Sequence, residues 1–364
     1  MTRRILVTGG AGFIGANFIR HWLAKYPEDR IVNYDALTYA GNLENLEGVQ
    51  TNPNYRFVHA DICDKETLER VFEEERIDHV AHLAAESHVD RSILGPGAFV
   101  RTNVQGTFTL LDVARKVWNR MEGKQRFLNV STDEVYGSLG ADDAPWTEES
   151  PIQPNSPYSA SKAAAGHVGR AYWHTYETPV VTSHCTNNYG AFQFTEKLIP
   201  LVILRGLAWD HVPIYGDGRQ VRDWIHVTDH VTGLEQILLH GTLGETYNVG
   251  SSSERTNRYV VETILDILDR VIPGPYSRRR LIRFVTDRPG HDRRYAIDST
   301  KISRDLGWEP MYSFESGIEE TVLWYLNNET WWRNLEQRSN DAIFTPENML
   351  NRFDDIHAMA AEQP

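Results

Sequence analysis

The sequence predicts an α/β protein with a doubly wound parallel sheet and a smaller second α/β domain. Three observations support this prediction. An apolar run at residues 4–8 leads through a glycine-rich turn into a helical pattern, a second apolar run ends at Asp35, and strand-like and helix-like segments alternate up to about residue 188. Such alternation is typical of parallel strands joined by crossover helices.

The first of these segments predicts a dinucleotide site. Three glycines, Gly9, Gly12 and Gly15, stand between the strand at residues 4–8 and a helix. Glycine lets the backbone turn tightly and approach a pyrophosphate at a helix N-terminus. Asp35 follows Gly15 by 20 residues, where a ribose-binding carboxylate commonly falls, and it would repel a 2′-phosphate. The pattern therefore favours NAD over NADP as the cofactor.

The next elements extend the same sheet. Residues 55–59 and 77–82 are predicted strands, separated by an amphipathic helix at residues 65–74. Asp61 and Ile62, just after the first of these strands, are expected to flank adenine. Ligands of such folds bind at the carboxyl ends of the strands, so residues 83–87 are expected to pass beside the cofactor.

A further strand at residues 127–131 delivers Thr132, Asp133 and Glu134, a hydroxyl and two carboxylic groups. Taken alone, this stretch reads equally well as a solvated loop. Side chains alternate along extended chain, so the adjacent acids can be directed at different atoms. They are therefore candidates for acid and base catalysis beside the cofactor.

Tyr158 and Lys162 begin the following helix. Ser156 can cap this helix and Pro157 suits its first turn. Four residues of spacing place the phenol and the ammonium on one face. A phenol titrates near ~10, so it becomes a useful base only where positive charge stabilises the phenolate. An isolated pair of this kind is usually an ordinary surface feature, but here it follows a predicted dinucleotide site.

Beyond Asn188 the alternation becomes irregular, and proline, glycine and aromatic residues are concentrated in residues 189–224. A helix at 229–240 and a strand at 247–249 return to the first domain, and helices at 259–270 and 314–326 complete the second. The expected organisation is a dinucleotide-binding domain of residues 1–188 and 228–251, a second domain of residues 189–227 and 252–336, and a tail of unknown role at residues 337–364.

The composition of the chain argues against several classes of partner. The chain has 364 residues, 41% hydrophobic content and a net charge of −13, which opposes nonspecific binding to nucleic acid. No apolar run approaches the ~20 residues of a membrane span, so we expect no membrane partner and a cytoplasmic location.

The two cysteines, Cys63 and Cys185, are expected to be free thiols, and no closely spaced histidine set predicts a metal site. The run Arg278-Arg279-Arg280 is interpreted as a solvated turn.

Four motifs resemble the extended short-chain dehydrogenase/reductase family over roughly residues 1–330: Thr8-Gly9-x-x-Gly12-x-x-Gly15, Asp61-Ile62, Leu83-Ala84-Ala85 and Tyr158-x-x-x-Lys162. The resemblance implies a Rossmann-type sheet and bound NAD. Within this family, the stretches at residues 85–92, 131–137, 187–190 and 288–295 resemble the dehydratases that act on dTDP-glucose. We therefore expect an enzyme whose partner is a small-molecule nucleotide sugar.

The resemblance also implies a separate role in the reaction for each of the five candidate catalytic residues. Tyr158 would accept the proton of the sugar's C4 hydroxyl during oxidation by NAD, with Lys162 keeping the phenolate accessible and Thr132 holding the C4 oxygen. The C4 ketone makes the C5 proton acidic, so Glu134 would remove it while Asp133 protonates the departing C6 hydroxyl. Hydride return to C6 would give a 4-keto-6-deoxy sugar and regenerate NAD.

The remaining site residues implied by the resemblance fall in two sets. The cofactor set is Gly9, Gly12, Phe13, Ile14, Gly15, Asp35, Leu37, Thr38, Asp61, Ile62, Leu83, Ala84, Ala85, Ser87, Thr102, Tyr158, Lys162 and Asn188. The substrate set is Ser87, Thr132, Asn187, Glu196, Lys197, Leu198, Pro213, Tyr215, Arg222, Asn257, Arg288, His291 and Tyr295. Tyr215 would stack on the base, and Arg222 and Arg288 would bind the pyrophosphate. Many relatives form a homodimer through two helices, here near residues 104–120 and 158–176.

Two alternative functions stay open at this point. One is a sugar-nucleotide 4-epimerase, or a dehydratase that uses another nucleotide, because oxidation at C4 is common to all of them. Asp133 and Glu134 argue against an epimerase, which eliminates no water, but thymine and uracil differ by one methyl group, worth only ~1–3 kcal/mol in a pocket. The other alternative is a noncatalytic dinucleotide-binding regulator, against which the pair Tyr158 and Lys162 argues.

Overall fold

The structure is a computed structural model of the chain, and it describes residues 2–339. Its strands are β1 Arg4–Thr8, β2 Arg30–Asp35, β3 Tyr55–His59, β4 His79–His82, β5 Arg126–Thr132, β6 Val180–Cys185, β7 Asn187–Tyr189, β8 Val212–Tyr215, β9 Val221–His226, β10 Thr246–Val249, β11 Glu254–Thr256 and β12 Ile282–Val285. The predicted tail at residues 337–364 lies outside the described residues from position 340 onward.

The helices surround these strands. They are α1 Phe13–Lys25, α2 Lys65–Glu75, α3 Val89–Leu94, α4 Pro96–Phe99, α5 Thr107–Trp118, α6 Pro157–Tyr176, α7 Leu198–Ala208, α8 Val227–His240, α9 Asn257–Val271, α10 Thr300–Leu306, α11 Phe314–Asn327 and α12 Glu329–Ser339. Short 3₁₀ turns occur at Leu43–Leu46, Asp133–Tyr136 and Arg278–Leu281, and a π-helical segment at Val100–Gly106 joins α4 to α5.

Seven strands form one parallel sheet in the order β3-β2-β1-β4-β5-β6-β10. The direction of winding reverses between β1 and β4, which opens a crevice at the carboxyl ends of the strands. This confirms the doubly wound Rossmann-type sheet. Because helices cover both faces, the central strand is apolar without alternation, and Ile5, Leu6 and Val7 are all 0% exposed.

Two helical layers cover the sheet. On one face, α1 and α8 contribute side chains such as Trp22 and Leu234 to a core that also contains Leu128 of β5. On the other face, α2 and α5 contribute side chains such as Phe72 and Leu110. The two layers fix the strand ends rigidly, so the side chains that follow β1, β4 and β5 hold constant positions relative to one another.

A second hydrophobic core lies beside this sheet. It is built from α7, α9 and α11, with Val202, Ile264 and Val322 fully buried. Two small sheets accompany it, β11-β9-β7 and β12-β8. Ile302 and Trp308, although late in the chain, pack into the core of the large sheet instead.

Several predicted elements shift at their ends. The strand expected at residues 77–82 is shorter, because β4 begins at His79. The helix expected from residue 104 is preceded by the π-helical segment Val100–Gly106. Sequence periodicity does not distinguish this segment from α-helix, because a single wide turn hardly changes the apolar pattern.

The solvated turn expected at Arg278-Arg279-Arg280 is wrong for Arg278. This side chain is 1% exposed, donates from Nε to the carbonyl of Gly206 at 2.9 Å, and pairs with Asp269 at 2.9 Å. Its guanidinium also lies 4.1 Å from the ring centroid of Trp209. Arg278 therefore joins α7 to α9 inside the second core, an ion pair that a local run of three arginines does not reveal.

Candidate active site

A cleft of about 480 Å³ lies above the carboxyl ends of β1, β2, β4, β5 and β6. Its volume falls in the range of small-molecule sites. The five predicted catalytic residues line it, and so do the predicted cofactor residues with one exception. The exception is Leu37, whose backbone N–H donates to the carboxylate of Asp35 at 2.8 Å.

Glycine shapes the end of the cleft near β1 and β2. Gly9 has φ +71°, and a Cβ there would lie 2.7 Å from the backbone nitrogen of Ala84. A Cβ on Gly15 would lie 2.2 Å from the carbonyl oxygen of Gly9. Neither position has room for a side chain, so the turn before α1 is compact and leaves its backbone open to a ligand. This cradle fits the pyrophosphate of a dinucleotide.

Asp35 ends β2 at the same end of the cleft. Its two oxygens accept backbone hydrogen bonds from Ala11 at 2.9 Å and from Leu37 at 2.8 Å. Burial raises the pKa of this carboxyl, and the two backbone donors act in the opposite direction. Each oxygen keeps a further lone pair, so the carboxylate can also accept the hydroxyls of a ribose.

The predicted capping of α6 is confirmed. Ser156 and Ser159 form a reciprocal capping box, and Pro157 occupies the first turn. Lys162 reaches the carbonyl of Val130, with Nζ donating at 2.7 Å. Tyr158, one turn earlier, faces the same cleft.

The environment shifts both of these groups toward neutrality. Burial lowers the pKa of the Lys162 ammonium to about 8. Burial also raises the pKa of the Tyr158 phenol well above its ordinary value, and the negative charge of Glu134 adds to this effect. A hydrogen bond from Thr132 acts in the opposite direction. Positive charge at this position is therefore required before the phenol can act as a base.

The two acids lie on the 3₁₀ turn Asp133–Tyr136 directly after β5, and the turn separates their environments. Asp133 is buried, its Oδ1 accepts from the Thr132 hydroxyl at 3.3 Å, and its Oδ2 has no hydrogen-bond partner within residues 2–339. Burial raises its pKa well above the ordinary value, and the charges of Glu134 and Asp223 add to the shift. This environment favours the protonated form of Asp133.

The residues around Glu134 have a different effect on its pKa. Burial raises its pKa too, but the positive charges of Arg288, Arg222 and Lys197 oppose that shift. The carboxylate form is therefore disfavoured less at Glu134 than at Asp133. A pair of acids whose environments separate their pKa values in this way can supply one acid and one base.

The predicted substrate residues divide into two groups. Those lining the cleft are Ser87, Thr132, Asn187, Glu196 and Lys197. Those outside its lining are Leu198, Pro213, Tyr215, Arg222, Asn257, Arg288, His291 and Tyr295. Within the first group, Nζ of Lys197 donates to the carbonyl of Ser87 at 3.2 Å.

Asp90 organises part of the second group and was not predicted. Its carboxylate accepts from Arg288 at 2.8 Å and from the Tyr215 hydroxyl at 3.2 Å. His291 packs edge-on against Tyr215, with ring centroids 6.2 Å apart, and bonds to Asp287 at 2.6 Å. Asp90 lies within the stretch at residues 85–92, so the resemblance was the only available signal for it.

The other members of the second group lie deeper or farther along the chain. Arg222 donates to the carbonyl of Asp292 at 2.9 Å, and its guanidinium lies 4.1 Å from the ring centroid of Tyr295. Leu198 begins α7 and Pro213 lies on β8. Asn257 begins α9, and its buried Oδ1 has no partner in the described part of the chain.

Sequence reasoning also missed residues that close the cleft. The rings of Tyr39 and Phe194 meet edge-on, with centroids 5.8 Å apart, and the guanidinium of Arg91 lies 3.9 Å from the Tyr39 ring centroid. Arg91 also donates to Glu196 at 3.1 Å. The loop after β2 and helix α3 thereby contact the segment before α7. No local pattern marks these contacts, because they join distant parts of the chain.

Both cysteines of the sequence lie within residues 2–339. Cys63 and Cys185 are both free, as expected. None of the described helices combines the length and apolar character needed to cross a membrane. Nor do His, Cys, Asp and Glu side chains in this part of the chain gather into a group that could hold a metal ion.

Comparison with known proteins agrees with this geometry. The family model described as GDP-mannose 4,6 dehydratase matches residues 6–321. A dTDP-glucose 4,6-dehydratase of Neisseria meningitidis serogroup B is 53% identical over 92% of this chain and 96% of its own.

Solved structures show the same similarity. The dTDP-glucose 4,6-dehydratase of Streptomyces venezuelae, solved with NAD bound, superposes with a TM-score of 0.85 at 48% identity, covering 91% of this chain and 99% of that one. A Thermus thermophilus UDP-glucose 4-epimerase in complex with NAD gives 0.79 at 30% identity, covering 89% and 99%. The chain therefore belongs to the extended short-chain dehydrogenase/reductase family and, within it, to the nucleotide-sugar 4,6-dehydratases.

Proposed function

We propose that this chain is an NAD-dependent dTDP-glucose 4,6-dehydratase, which converts dTDP-glucose to dTDP-4-keto-6-deoxyglucose and water. The observation that carries the proposal is the acid pair Asp133 and Glu134, held in contrasting environments in the same cleft as Tyr158 and Lys162. A simple dehydrogenase needs no second acid and base. Relatives at about half identity that carry this name support the same conclusion.

NAD, when bound, supplies the acceptor for the hydride of C4 and returns that hydride to C6. Residues of this chain would hold its two ends. The turn at Gly9 and Gly15 receives the pyrophosphate, Asp35 receives the adenosine ribose, and Asp61 and Ile62 lie at the adenine end of the cleft. Thr102, from the π-helical segment, lines the same end.

The oxidation step depends on α6. Tyr158, as the phenolate, accepts the proton of the C4 hydroxyl and becomes the phenol, and the Lys162 ammonium stabilises the phenolate before this transfer. Thr132, which lines the cleft beside Tyr158, can hold the C4 oxygen in line. Burial disfavours the phenolate, so this step depends on positive charge in the cleft.

The elimination step uses the 3₁₀ turn after β5. Once C4 is a ketone, the C5 proton is alpha to a carbonyl and becomes acidic enough for a carboxylate to remove it. Glu134, whose ionised form is supported by Arg288, Arg222 and Lys197, is suited to that role. Asp133, whose protonated form is favoured by burial, is suited to donate a proton to the leaving C6 hydroxyl.

The nucleotide end lies toward the second core. We propose that Arg288 binds the pyrophosphate, since its buried Nε has no partner within the described residues while its Nη1 is anchored on Asp90. Tyr215, anchored on the same carboxylate, is placed to stack on the base. The other residues expected to bind substrate keep that assignment as part of the proposal.

A 4-epimerase is the nearest alternative, because an epimerase shares the fold at 30% identity. The environments of Asp133 and Glu134 argue against it, since epimerisation at C4 requires no proton removal at C5. The nucleotide base is supported by the names of the relatives rather than by a contact in this structure.

We further propose a homodimer, a cytoplasmic location, and two lobes divided as the sequence predicts, except that the segment of Ile302 and Trp308 belongs with the large sheet. The dimer is supported by apolar side chains exposed along the π-helical segment, α5 and α6: Val100 is 57% exposed, Phe108 49% and Tyr176 50%. Two free thiols are typical of a reducing compartment. A monomer mass in analytical ultracentrifugation would reject the dimer.

The proposed activity is tested by incubating the purified protein with dTDP-glucose, with UDP-glucose and GDP-mannose in parallel, and following the sugar by mass spectrometry. The expected result is loss of one water from dTDP-glucose only. Loss of water from UDP-glucose alone would show that the enzyme prefers uracil to thymine as the nucleotide base. Inversion at C4 without loss of water would replace the dehydratase by an epimerase.

A further inference from the structure

The 3₁₀ turn that carries the acid pair ends in a tyrosine that faces away from the cleft. Tyr136 is 2% exposed and is not part of the cleft lining. Its hydroxyl donates to Oδ1 of Asn248 at 2.9 Å and lies 2.7 Å from Nδ1 of His184. The mechanism proposed above gives these three buried side chains no role.

The direction of each hydrogen bond follows from the neighbouring groups. The side-chain nitrogen of Asn248 donates to the carbonyl of Trp146 at 3.0 Å, so its oxygen faces Tyr136 and can only accept. The Tyr136 hydroxyl therefore donates its proton to Asn248, and His184 must donate from Nδ1 to the Tyr136 oxygen. Burial lowers the pKa of His184 to about 3, so the ring is neutral and has a single N–H, which it gives to Tyr136.

The partners of Tyr136 belong to the sheet rather than to the turn. His184 lies on β6 opposite Ser131 of β5, and Asn248 lies on β10 opposite His184. The backbone N–H of Asn248 is in turn bonded to Glu148 at 2.8 Å. One hydroxyl thus ties the end of the acid-bearing turn to two neighbouring strands.

The ring and the hydroxyl of Tyr136 have separable functions. The ring stacks on Trp146 with centroids 5.6 Å apart and meets His184 edge-on at 5.0 Å. A phenylalanine would keep these contacts and lose only the two hydrogen bonds. The turn would then remain packed but would no longer be fixed in its tilt relative to β6 and β10.

We propose that Tyr136 is a positioning residue for the elimination step, which fixes the turn so that Asp133 and Glu134 are directed at C6 and C5. This inference rests on the dehydratase function proposed above. The oxidation residues are anchored separately: Lys162 through the carbonyl of Val130, α6 through its capping box, and Thr132 through the pairing of β5 with β6. Loss of the Tyr136 hydroxyl therefore slows elimination while oxidation continues.

The experiment compares Tyr136→Phe with wild type in the full-length, cofactor-loaded protein. Single-turnover absorbance of reduced nicotinamide reports oxidation, and mass spectrometry of the sugar reports loss of water. We expect oxidation near the wild-type rate and elimination slower by about 10- to 100-fold, as for a small misplacement of catalytic groups. The affinity for dTDP, measured by calorimetry, should not change.

Tyr55→Phe is the matched control. The Tyr55 hydroxyl also bonds an asparagine, accepting from Nδ2 of Asn33 at 2.9 Å, but Tyr55 begins β3 and does not line the cleft. Tyr55→Phe loses one hydrogen bond and Tyr136→Phe loses two, so the fall in melting temperature is expected to be smaller for the Tyr55 variant. The Tyr55 variant should carry out both steps at wild-type rates.

A second variant keeps the test decisive if Tyr136→Phe folds poorly. Asn248→Leu removes the acceptor instead of the donor and should produce the same selective slowing. Because both changes break one linkage, the double variant should be no slower than the slower single variant. Equal slowing of oxidation and elimination, unchanged elimination, or effects that multiply in the double variant would each overturn the positioning role. Wild-type protein that removes no water from dTDP-glucose would instead reject the dehydratase proposal itself.

Discussion

The two ends of the cleft are built on different principles. At the adenosine end, near β1 and β2, the surface is glycine and backbone, and the one buried acid, Asp35, has both oxygens bonded to backbone N–H groups. At the reaction end, near β5 and β6, buried polar atoms lack partners within residues 2–339. They include Oγ of Ser131, Oδ2 of Asp133, and Oδ1 of Asn187 and Asn188.

The difference reflects what each end has to do. An end that only binds can satisfy its own polar groups first, since it needs shape and a few free lone pairs. A buried polar atom without a partner costs about 1–3 kcal/mol, so a cluster of them is retained only where a ligand supplies the missing bonds. The reaction end holds its groups ready for charge that develops during the reaction.

The largest effect is expected at the reaction end, from Tyr158→Phe. Without the phenol, no group accepts the C4 hydroxyl proton, and the rate of oxidation should fall by roughly 10²–10⁴-fold. Stopped-flow absorbance of reduced nicotinamide after addition of dTDP-glucose measures this step. Retained binding of dTDP would show that the cleft is intact. Oxidation at the wild-type rate would contradict the assigned role.

Changing the acids should separate the two steps. In the double variant Asp133→Asn and Glu134→Gln, oxidation is expected to continue while elimination slows by about 10²-fold or more. Reduced nicotinamide should then persist and mass spectrometry should detect little loss of water. Asp142→Asn, in an exposed loop, is the control and should leave both steps unchanged. Unimpaired turnover in the double variant would refute the carboxylate roles.

A change at the adenosine end should affect retention of the cofactor rather than chemistry. Gly9→Ala forces a left-handed φ on a residue with a side chain and brings Cβ to 2.7 Å from Ala84. Relieving this clash requires the turn to move from the position that receives the pyrophosphate, so NAD affinity should fall, by roughly ten-fold for each ~1.4 kcal/mol of lost contacts. NAD released from denatured, gel-filtered protein measures retention. Gly97→Ala has open space around its Cβ and should retain NAD as wild type does.

The smallest effect is a shift in pH dependence. Because burial lowers the pKa of Lys162 to about 8 from 10.5, its positive charge is lost as pH rises through about 8, and kcat/KM should fall there. Lys162→Arg keeps its charge and should move the alkaline limb to higher pH. Between pH 8 and 10.5 the unfolded chain binds more protons at this lysine than the folded chain does, so the lysine's contribution to stability rises. Unfolding linked to this lysine would therefore not explain the fall in kcat/KM. If the fall in kcat/KM at alkaline pH occurred at the same pH in Lys162→Arg, the role assigned to the Lys162 charge would be contradicted.

The sequence predicted most of what depends on neighbouring residues. The strands at residues 4–8 and 55–59, the cradle at Gly9 and Gly15, and the helical face shared by Tyr158 and Lys162 follow from short-range periodicity and turn chemistry. These features need no knowledge of the rest of the chain.

Contacts between distant segments were not predictable in this way. Asp90 joins Arg288, 198 residues away, and Tyr215, 125 residues away. Arg278 was misjudged for the same reason, because its partners include the carbonyl of Gly206, 72 residues earlier. Local sequence patterns do not indicate which surfaces come into contact when the second core packs against the sheet.

The sequence by itself determined the parallel sheet, the dinucleotide cradle and the chemical groups available for catalysis, because periodicity and spacing act over a few residues. Only the tertiary structure decided how those groups behave. Asp133 and Glu134 are neighbours in the chain with similar intrinsic acidity, and burial raises the pKa of both. Three distant cations oppose that shift at Glu134, whereas the charges of Glu134 and Asp223 increase it at Asp133. A pKa depends on solvent exclusion and on charges brought together by folding, so the assignment of acid and base is a property of the folded molecule.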